Sequence, residues 1–507
     1  MSNDQYVLTL CPAAGGDLDL TSLRCRAIAD AHVRFRRAVG DEVALVHAGG
    51  GDDDPSGGLA IGGGAARRVD PAVERWAQWL LERLDGAGLI YHREGKGWRL
   101  RSGKLHEESE RRLEELSGWS DAALAGQRKL LEHVDDPGDS GSELEQSLSK
   151  LAAAGWSVDS KRDKGPPTVH FAAGDMPLAE GDDWRAAGGV HPRLAAALSA
   201  LVGALSSDER EAAPSDAVSG LGRRLPATTV AAPGSDSDVA LLDLRTVAKA
   251  LRDVGGLDLP GGEPLGPVLA AGAFQLLPVR RLPEQGAPAS NPEPTGPSLN
   301  GTAPAAATAA LNSAEGDASV TPTGGQPPAD SNDVATLIAV HGADAVRFAL
   351  LHAAAPAKRF RGGEDVVGYA ARFLTELREL AASRWGDAPP AARIETDDGL
   401  RRRLAGWCDT ALARTTENHA RLDMHRATRN AVELLARIKD FEARVTEQRG
   451  EVAGADREAV AVALALLVQL LAPLAPATAD ELWRQSRRDG SAGDAPWPVL
   501  QRATAAA

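Results

Sequence analysis

Lysine is scarce in this chain. Nine lysines stand against forty-seven arginines in 507 residues, and none lies between Pro260 and Ala357. Any chemistry that needs an ammonium group is therefore excluded from that stretch. Cysteine is scarcer still. Cys11, Cys25 and Cys408 lie far apart and form no CxxC pair, which excludes a disulfide framework and a four-cysteine zinc site. No metal site is expected. Aromatic residues make up only 4% of the chain, so the core must be built from Leu, Val and Ala. No apolar run approaches the roughly 20 residues of a membrane span, and no charged-then-apolar leader opens the chain. A cytoplasmic protein without membrane contact is expected. Positive charge is also in deficit, with a net charge of −15. That balance argues against a broad DNA-binding surface but leaves room for a local Arg-rich face. An acidic, lysine-poor surface suits a high-salt interior, where self-repulsion is screened; codon bias in a GC-rich source gives the same composition.

What is present reads as several units in series. Tyr6–Cys11 (YVLTLC) is a buried-strand pattern, Ala13–Gly16 a Gly-containing turn, Leu23–Val39 a helical repeat and Glu42–Val46 a second strand. This order, strand–turn–helix–strand, predicts a nucleotide-binding type of parallel sheet. The turn could cradle a phosphate through backbone N–H groups or serve as a turn only; it is neither GxGxxG nor a Walker loop. Pro71–Gly86 is amphipathic, Leu89–Arg93 reads as a strand, and Glu107–Leu116 and Ser120–Val134 read as helices. Glu108–Leu116 (ESERRLEEL) has the look of a salt-bridged helix surface, and His92–Arg93 of a strand edge. Further on, Ser142–Ala154 is helical in pattern, Trp156–Val158 can pair with Thr168–Phe171, and Leu194–Leu205 and Leu241–Val254 are apolar helices. Gln285–Asp333 is rich in Pro, Ala, Gly, Ser and Thr and reads as a disordered linker. Beyond it an all-helical region is expected, in segments 344–354, 366–385, 400–422, 424–444 and 456–485, the last split by Pro473 and Pro476.

The stretch Val334–Pro356, VATLIAVHGADAVRFALLHAAAP, closely resembles a block of leucyl-tRNA synthetases and related class I synthetases that follows the ATP-binding KMSKS loop and leads into the anticodon-binding helices. Four other blocks appear in family order. Residues 6–50 resemble the family's opening around the HIGH motif. ERWAQWLLERLDGAGLIYHREG resembles W-x-x-W-x-x-x-x-L-x-x-x-G-L-x-Y-x. HEESERRLEELSGWSDAALAGQRKLL is similar to the MQRNWIG region, and Leu225–Phe274 to the returning half of the catalytic domain. The resemblance runs on through LLVQLLAPLAPATADELWRQ and Pro496–Trp497–Pro498. It implies an α/β Rossmann-like class I core (1–134 and 225–284), a divergent insertion (135–224) in place of the zinc and editing regions, the linker (285–333), and an all-α anticodon-binding-type helical bundle (334–500).

The residues that bind ATP in that family have no match. The alignment that sets Asp30 on the family's acidic helix residue puts Asp19, Leu20, Thr21 and Ser22 on the HIGH motif, without a histidine, and Asp17 and Asp19 would repel a triphosphate. Counting back from Gly342 puts Thr323, Gly324, Gly325, Gln326 and Pro327 on the KMSKS motif, without a lysine. Ala240–Arg245 replaces the family's His-Leu-Leu-Tyr-Ala-Arg, keeping a buried Leu pair and Arg245. Losing one preorganised donor typically costs about 3 kcal/mol of transition-state stabilisation. The expectation is a catalytically degenerate paralogue that needs no cofactor, binding tRNA or regulating a genuine synthetase. The alternatives are leucine–tRNA ligase activity with ATP, and an interaction protein without an RNA role. Candidate tRNA contacts are Lys358, Arg359 and Arg361 beside the former catalytic entrance, and Arg421, His425, Arg426 and Arg429 on a bundle helix. For the bundle-helix group the alternative is a solvated helix face paired with local acids.

Overall fold

The computed structural model describes residues 5–10, 19–48, 71–101, 111–112, 156–159, 168–171, 176–185, 189–225, 227–232, 235–259, 265–277, 334–386 and 389–498. Strand β1 (Gln5–Leu10) is the buried strand expected over Tyr6–Cys11, one residue earlier and interrupted only by Thr9. Helix α1 (Leu20–Ala38) carries the chain to β2 (Val43–Ala48), which pairs parallel with β1. On the other side of β1 lies β9 (Ala227–Ala231), followed by helix α6 (Ser235–Gly255) and β10 (Leu265–Ala270), giving a parallel sheet in the order β10-β9-β1-β2. The chain therefore winds outward in both directions from β1 and β9. With right-handed crossovers, this sets α1 and α6 on opposite faces.

Alternation along β1 divides the molecule into two cores. Val7 faces one with α1 and the C-terminal helices; Tyr6, Leu8 and Leu10 face the other with α6. This second core also takes α2 (Pro71–Gly86), with Trp76, Leu80 and Leu84 fully buried, and α3 (Pro192–Val202). A small antiparallel sheet of β3 (Ile90–Arg93), β4 (Gly97–Leu100) and β8 (Pro177–Ala179) closes it. Helices α4 (Ser207–Glu211) and α5 (Pro214–Arg224) lead into β9. A separate sheet pairs β5 (Arg111–Arg112), β7 (Thr168–Phe171) and β6 (Trp156–Asp159) in the order β5-β7-β6. The Trp156–Phe171 hairpin was legible. The expected helix over Glu107–Leu116 is corrected at Arg111–Arg112, which lies in a ladder with Thr168 and Val169. Side-chain charge pairs offer a helix only a few tenths of a kcal/mol each, too little to outweigh a partner strand.

The bundle begins with α7 (Val334–His341) and α8 (Ala343–His352), which meet at a bend of 112°. Gly342 makes that corner with φ 85°, a conformation in which an L side chain is strained. Strand β12 (Phe360–Gly363) then runs parallel to β11 (Phe274–Leu277), pairing Phe274 with Phe360. After it come α9 (Asp365–Arg384), α10 (Gly399–Ala420), α11 (Met424–Arg449), α12 (Gly454–Leu471) and α13 (Pro476–Gln485). The break predicted at Pro473 and Pro476 separates the last two. Among the described residues no single helix is long and apolar enough to cross a membrane. The expected linker, 285–333, and the helices expected at Ser120–Val134 and Ser142–Ala154 fall outside the described residues.

Candidate functional site

The sheet order brings together the ends of β1 and β9 and the starts of α1 and α6, the switch point at which sheets of this kind bind ligands. Helix N-termini present unpaired N–H groups there, an arrangement suited to an anion. At α1 the sequence has filled that end itself. Asp19 is the N-cap, and its carboxylate accepts a hydrogen bond from the Ser22 amide at 2.6 Å. Leu20 is buried in the core. Thr21 ties α1 to β11: its Oγ1 accepts from the Phe274 amide at 3.0 Å and donates to the Phe274 carbonyl at 3.4 Å. Ser22 is buried as well, so of these four only Asp19 is exposed. The Ala13–Gly16 turn, Asp17 and the Thr323–Pro327 run lie outside the described residues.

In the Ala240–Arg245 run, Leu241 and Leu242 are half-buried, and it is Asp243, Leu244 and Arg245 that are buried. The expected buried Leu pair is corrected accordingly, because α6 turns its Asp243–Leu244 side to the core. Asp243 holds Arg193 in a two-pronged ion pair at 2.6 and 2.5 Å. Burial raises its carboxyl above the usual range despite that partner, while the hydrogen bond to Asp243 raises Arg193.

The junction between core and bundle is organised by two buried arginines. Arg24 on α1 donates to four main-chain carbonyls, those of Gly272 (3.0 Å), Lys358 (2.9 Å), Ala354 (2.7 Å) and Ala355 (2.9 Å). Burial lowers its pKa to about 10. The turn after α8 is thereby pinned to the start of β11, which it approaches so closely at Gly272 that a Cβ there would sit 2.1 Å from the Lys358 carbonyl oxygen. Arg347 on α8 pairs with Asp30 at 2.6 Å and donates to the Pro473 and Leu474 carbonyls. Burial alone would raise the Asp30 pKa, but Arg347 and Arg34 outweigh it and hold it below the usual carboxylate range.

Sequence reasoning named two basic groups, and the structure sorts them. Lys358, Arg359 and Arg361 are exposed on the Arg24-pinned turn and on β12. Arg429 is exposed on α11, and its charge reaches His352, His425 and Tyr369 beside the end of α8. Arg372 on α9 also reaches Tyr369. None of these five bases has a carboxylate partner among the described residues. Arg421 and Arg426, in contrast, are paired, with Glu417 at 2.9 Å and Asp423 at 3.4 Å. His425 is half-buried and occupied, its Nδ1 2.6 Å from the His352 carbonyl, with burial lowering its pKa. The four-residue spacing of His425 and Arg429 therefore does not make two equivalent surface contacts: one is a bolt and the other a free cation.

Sequence reasoning missed a groove between α10 and α11. Half-exposed Trp407 lies under the Arg437 guanidinium at 5.3 Å, with Arg414 and Asn430 beside it. The i, i+7 relation of Trp407 and Arg414 was the available signal. Deeper in, His32, Phe35, His419 and Trp497 join α1 to the bundle, with Phe35 stacked on His419 at 5.0 Å. Burial pushes the His32 pKa down to about 4 and His419 to about 3. Among the described residues no group of three or more His, Cys, Asp or Glu side chains could hold a metal ion.

Residues 404–506 match the family model described as the anticodon-binding domain of tRNA ligase. The chain is 31% identical over 174 residues to the leucine–tRNA ligase of Thioalkalivibrio sulfidiphilus, covering 33% of this chain and 20% of that protein. It is 32% identical over 171 residues to that of Halobacterium salinarum, covering 32% and 17%. The chain thus spans about a fifth of the length of these relatives. In fold it is similar to the Agrobacterium radiobacter LeuRS solved with tRNA and LeuAMS: TM-score 0.58, 15% identity, 99% of this chain and 87% of that one. It is also similar to the Mycobacterium tuberculosis methionyl-tRNA synthetase bound to methionyl-adenylate, at TM-score 0.52 and 15% identity over 95% and 93%. The fold is that of class I synthetases, with a parallel-sheet core and a helical anticodon-binding region.

Proposed function

Starting from a leucyl-tRNA synthetase-like chain with an anticodon-binding region, we propose that it binds tRNA without activating an amino acid. The observation that carries this reading is a division of labour among polar residues. At the start of α1 the side chains are spent on structure: Asp19 caps the helix, Leu20 packs, Thr21 latches β11 and Ser22 is buried. On the bundle side Lys358, Arg359, Arg361, Arg372 and Arg429 are exposed without acid partners among the described residues. A carboxylate at the helix N-terminus opposes a triphosphate, whereas unpaired guanidinium groups favour phosphodiesters. Through such binding the chain would act as a tRNA-holding module or as a regulator of a genuine synthetase in the cytoplasm. Gel shift with a leucine tRNA transcript at several salt concentrations, paired with leucine-dependent ATP–pyrophosphate exchange, tests both halves. We expect salt-sensitive binding that weakens in Lys358→Ser/Arg361→Ser/Arg429→Ser, with exchange at background. Exchange above background would overturn the inactive half and favour a leucine–tRNA ligase. Binding that ignores the triple substitution would overturn the assigned surface.

A further inference from the structure

Helices α10 and α11 are joined only by residues 421–423, where Leu422 turns the chain at φ 59°, so the two run antiparallel. Facing rows at i, i+4 and i+7 line the groove between them: Trp407, Ala411 and Arg414 on α10, and Asn430, Leu434 and Arg437 on α11. The Arg437 guanidinium over the Trp407 ring fixes the register and sets Arg414 opposite Asn430 at the other end. Seven residues of helix separate the two ends, about 10 Å. The groove holds about 300 Å³, the lower end of the range for small-ligand sites.

The Asn430 carboxamide sets this groove apart. Its Nδ2 is buried without a hydrogen-bond partner, and among the described residues no other side-chain amide is so placed. A buried donor left unpaired costs stability. Leucine at 430 would suit the packing of two helices; an amide suits an acceptor brought in from outside. Arg414 opposite is exposed. The carboxylate in the groove, Glu433, is taken by Arg437 at 3.3 Å. The Asn430 end therefore offers an N–H donor and a guanidinium fork, a pair that matches phosphate oxygens. The other end offers two flat groups, the half-exposed Trp407 indole and the Arg437 guanidinium. Unpaired bases stack on indole and guanidinium planes alike, and Arg437 keeps Glu433 while a base lies against it. Between the ends Ala411 and Leu434 are buried and form an apolar floor.

We propose that this groove binds a nucleoside monophosphate lengthwise, its base against Trp407 and Arg437 and its phosphate between Arg414 and Asn430. The nucleotide is free or is an unpaired residue of an RNA; both present the same base and phosphate. Calorimetry on the full chain with AMP, adenosine and ribose 5-phosphate tests the proposal. AMP should bind roughly tenfold more tightly than either fragment, since each fragment reaches one end only. Arg414→Ser and Asn430→Leu should each weaken AMP roughly tenfold and leave adenosine unchanged. Trp407→Leu should weaken AMP and adenosine alike, and Trp407→Phe should restore most of both. AMP bound no better than ribose 5-phosphate, or AMP binding that ignores all these substitutions, would overturn the proposal. Adenosine weakened by Arg414→Ser as much as AMP would overturn the lengthwise placement. A single-stranded adenine hexanucleotide identifies the source, and the site stands in either case: affinity above that of AMP and lost in the same variants assigns an RNA, and affinity no higher assigns the free nucleotide. Lys358→Ser/Arg361→Ser should leave AMP binding unchanged. Loss of the tRNA gel shift with AMP binding retained would thus sink the reading above and not this one. Matching thermal melts of the variants and the parent exclude misfolding as the cause.

Discussion

Replacing Arg24 by alanine should uncouple the core from the bundle, and its cost can be worked out from the structure. The guanidinium donates to four carbonyls that belong to β11's approach and to the turn after α8. Hydrogen bonds from a charged donor are worth about 1.5–3 kcal/mol each, which makes the gross loss roughly 6–12 kcal/mol. Against this stands the cost of burying the charge. A pKa lowered to about 10 from 12.5 corresponds to roughly 3 kcal/mol that the substitution recovers. Water will reach some of the carbonyls, since three of the four bonds are only partly buried. The net expectation is a loss of about 4 kcal/mol. Arg24→Lys retains the charge but has three donors without the planar fork, and should lose about half as much. Urea unfolding, followed by circular dichroism and by tryptophan emission, measures both. Limited proteolysis at the 354–358 turn should accelerate in the alanine variant. A loss below about 1 kcal/mol, with proteolysis unchanged, would refute the claim that this arginine joins the two parts.

Other expectations concern the same interface. Asp30→Asn removes the carboxylate from buried Arg347 and should cost about 3–5 kcal/mol in the same urea assay; Asp30→Asn/Arg347→Met should recover part of that, and a double variant no better than the single would argue against a coupled pair. Acid should loosen the α1–bundle contact. Unfolded histidines take up protons below about pH 6.5, whereas His32 stays neutral to about 4 and His352 and His419 to about 3. The unfolded state is thus favoured as pH falls through that window, by roughly 2 kcal/mol per buried histidine at pH 5. Urea midpoints at pH 7 and 5 should show the drop, and His419→Phe should reduce it; a flat profile would contradict the assignment.

How much was legible follows from what each segment packs against. The β1–α1–β2 unit and the bundle helices were readable because their apolar residues recur at strand or helix periods. Pro71–Gly86 was placed to the residue, and the corner at Gly342 was placed from a single glycine in an apolar run. Strand β12 was not readable. Phe360-Arg361-Gly362-Gly363 has the composition of a turn, and it is a strand only because β11, distant in sequence, supplies the ladder and Phe274 stacks on Phe360 at 4.6 Å. The candidate surface was half legible for the same reason. Arginine counts locate bases, but whether Arg426 is paired and Arg429 is not depends on Asp423, and whether His425 is free depends on a carbonyl on another helix. His92 and Arg93, read as a strand edge, are exposed on β3, the outer strand of the β3-β4-β8 sheet.

The parallel pairing of β11 and β12 has a consequence for the chain between them. One end of that connection is fixed at Leu277 by the ladder, and the other returns through α7 at Val334, whose own side chain is buried. A parallel pair cannot be closed by a tight turn, so this ladder joins residues far apart in sequence and carries the contact between the sheet side of the molecule and the bundle. Mutational drift at the junction is constrained at Phe274 and Phe360, whose rings stack, and at Gly272, where a side chain would collide with the Lys358 carbonyl.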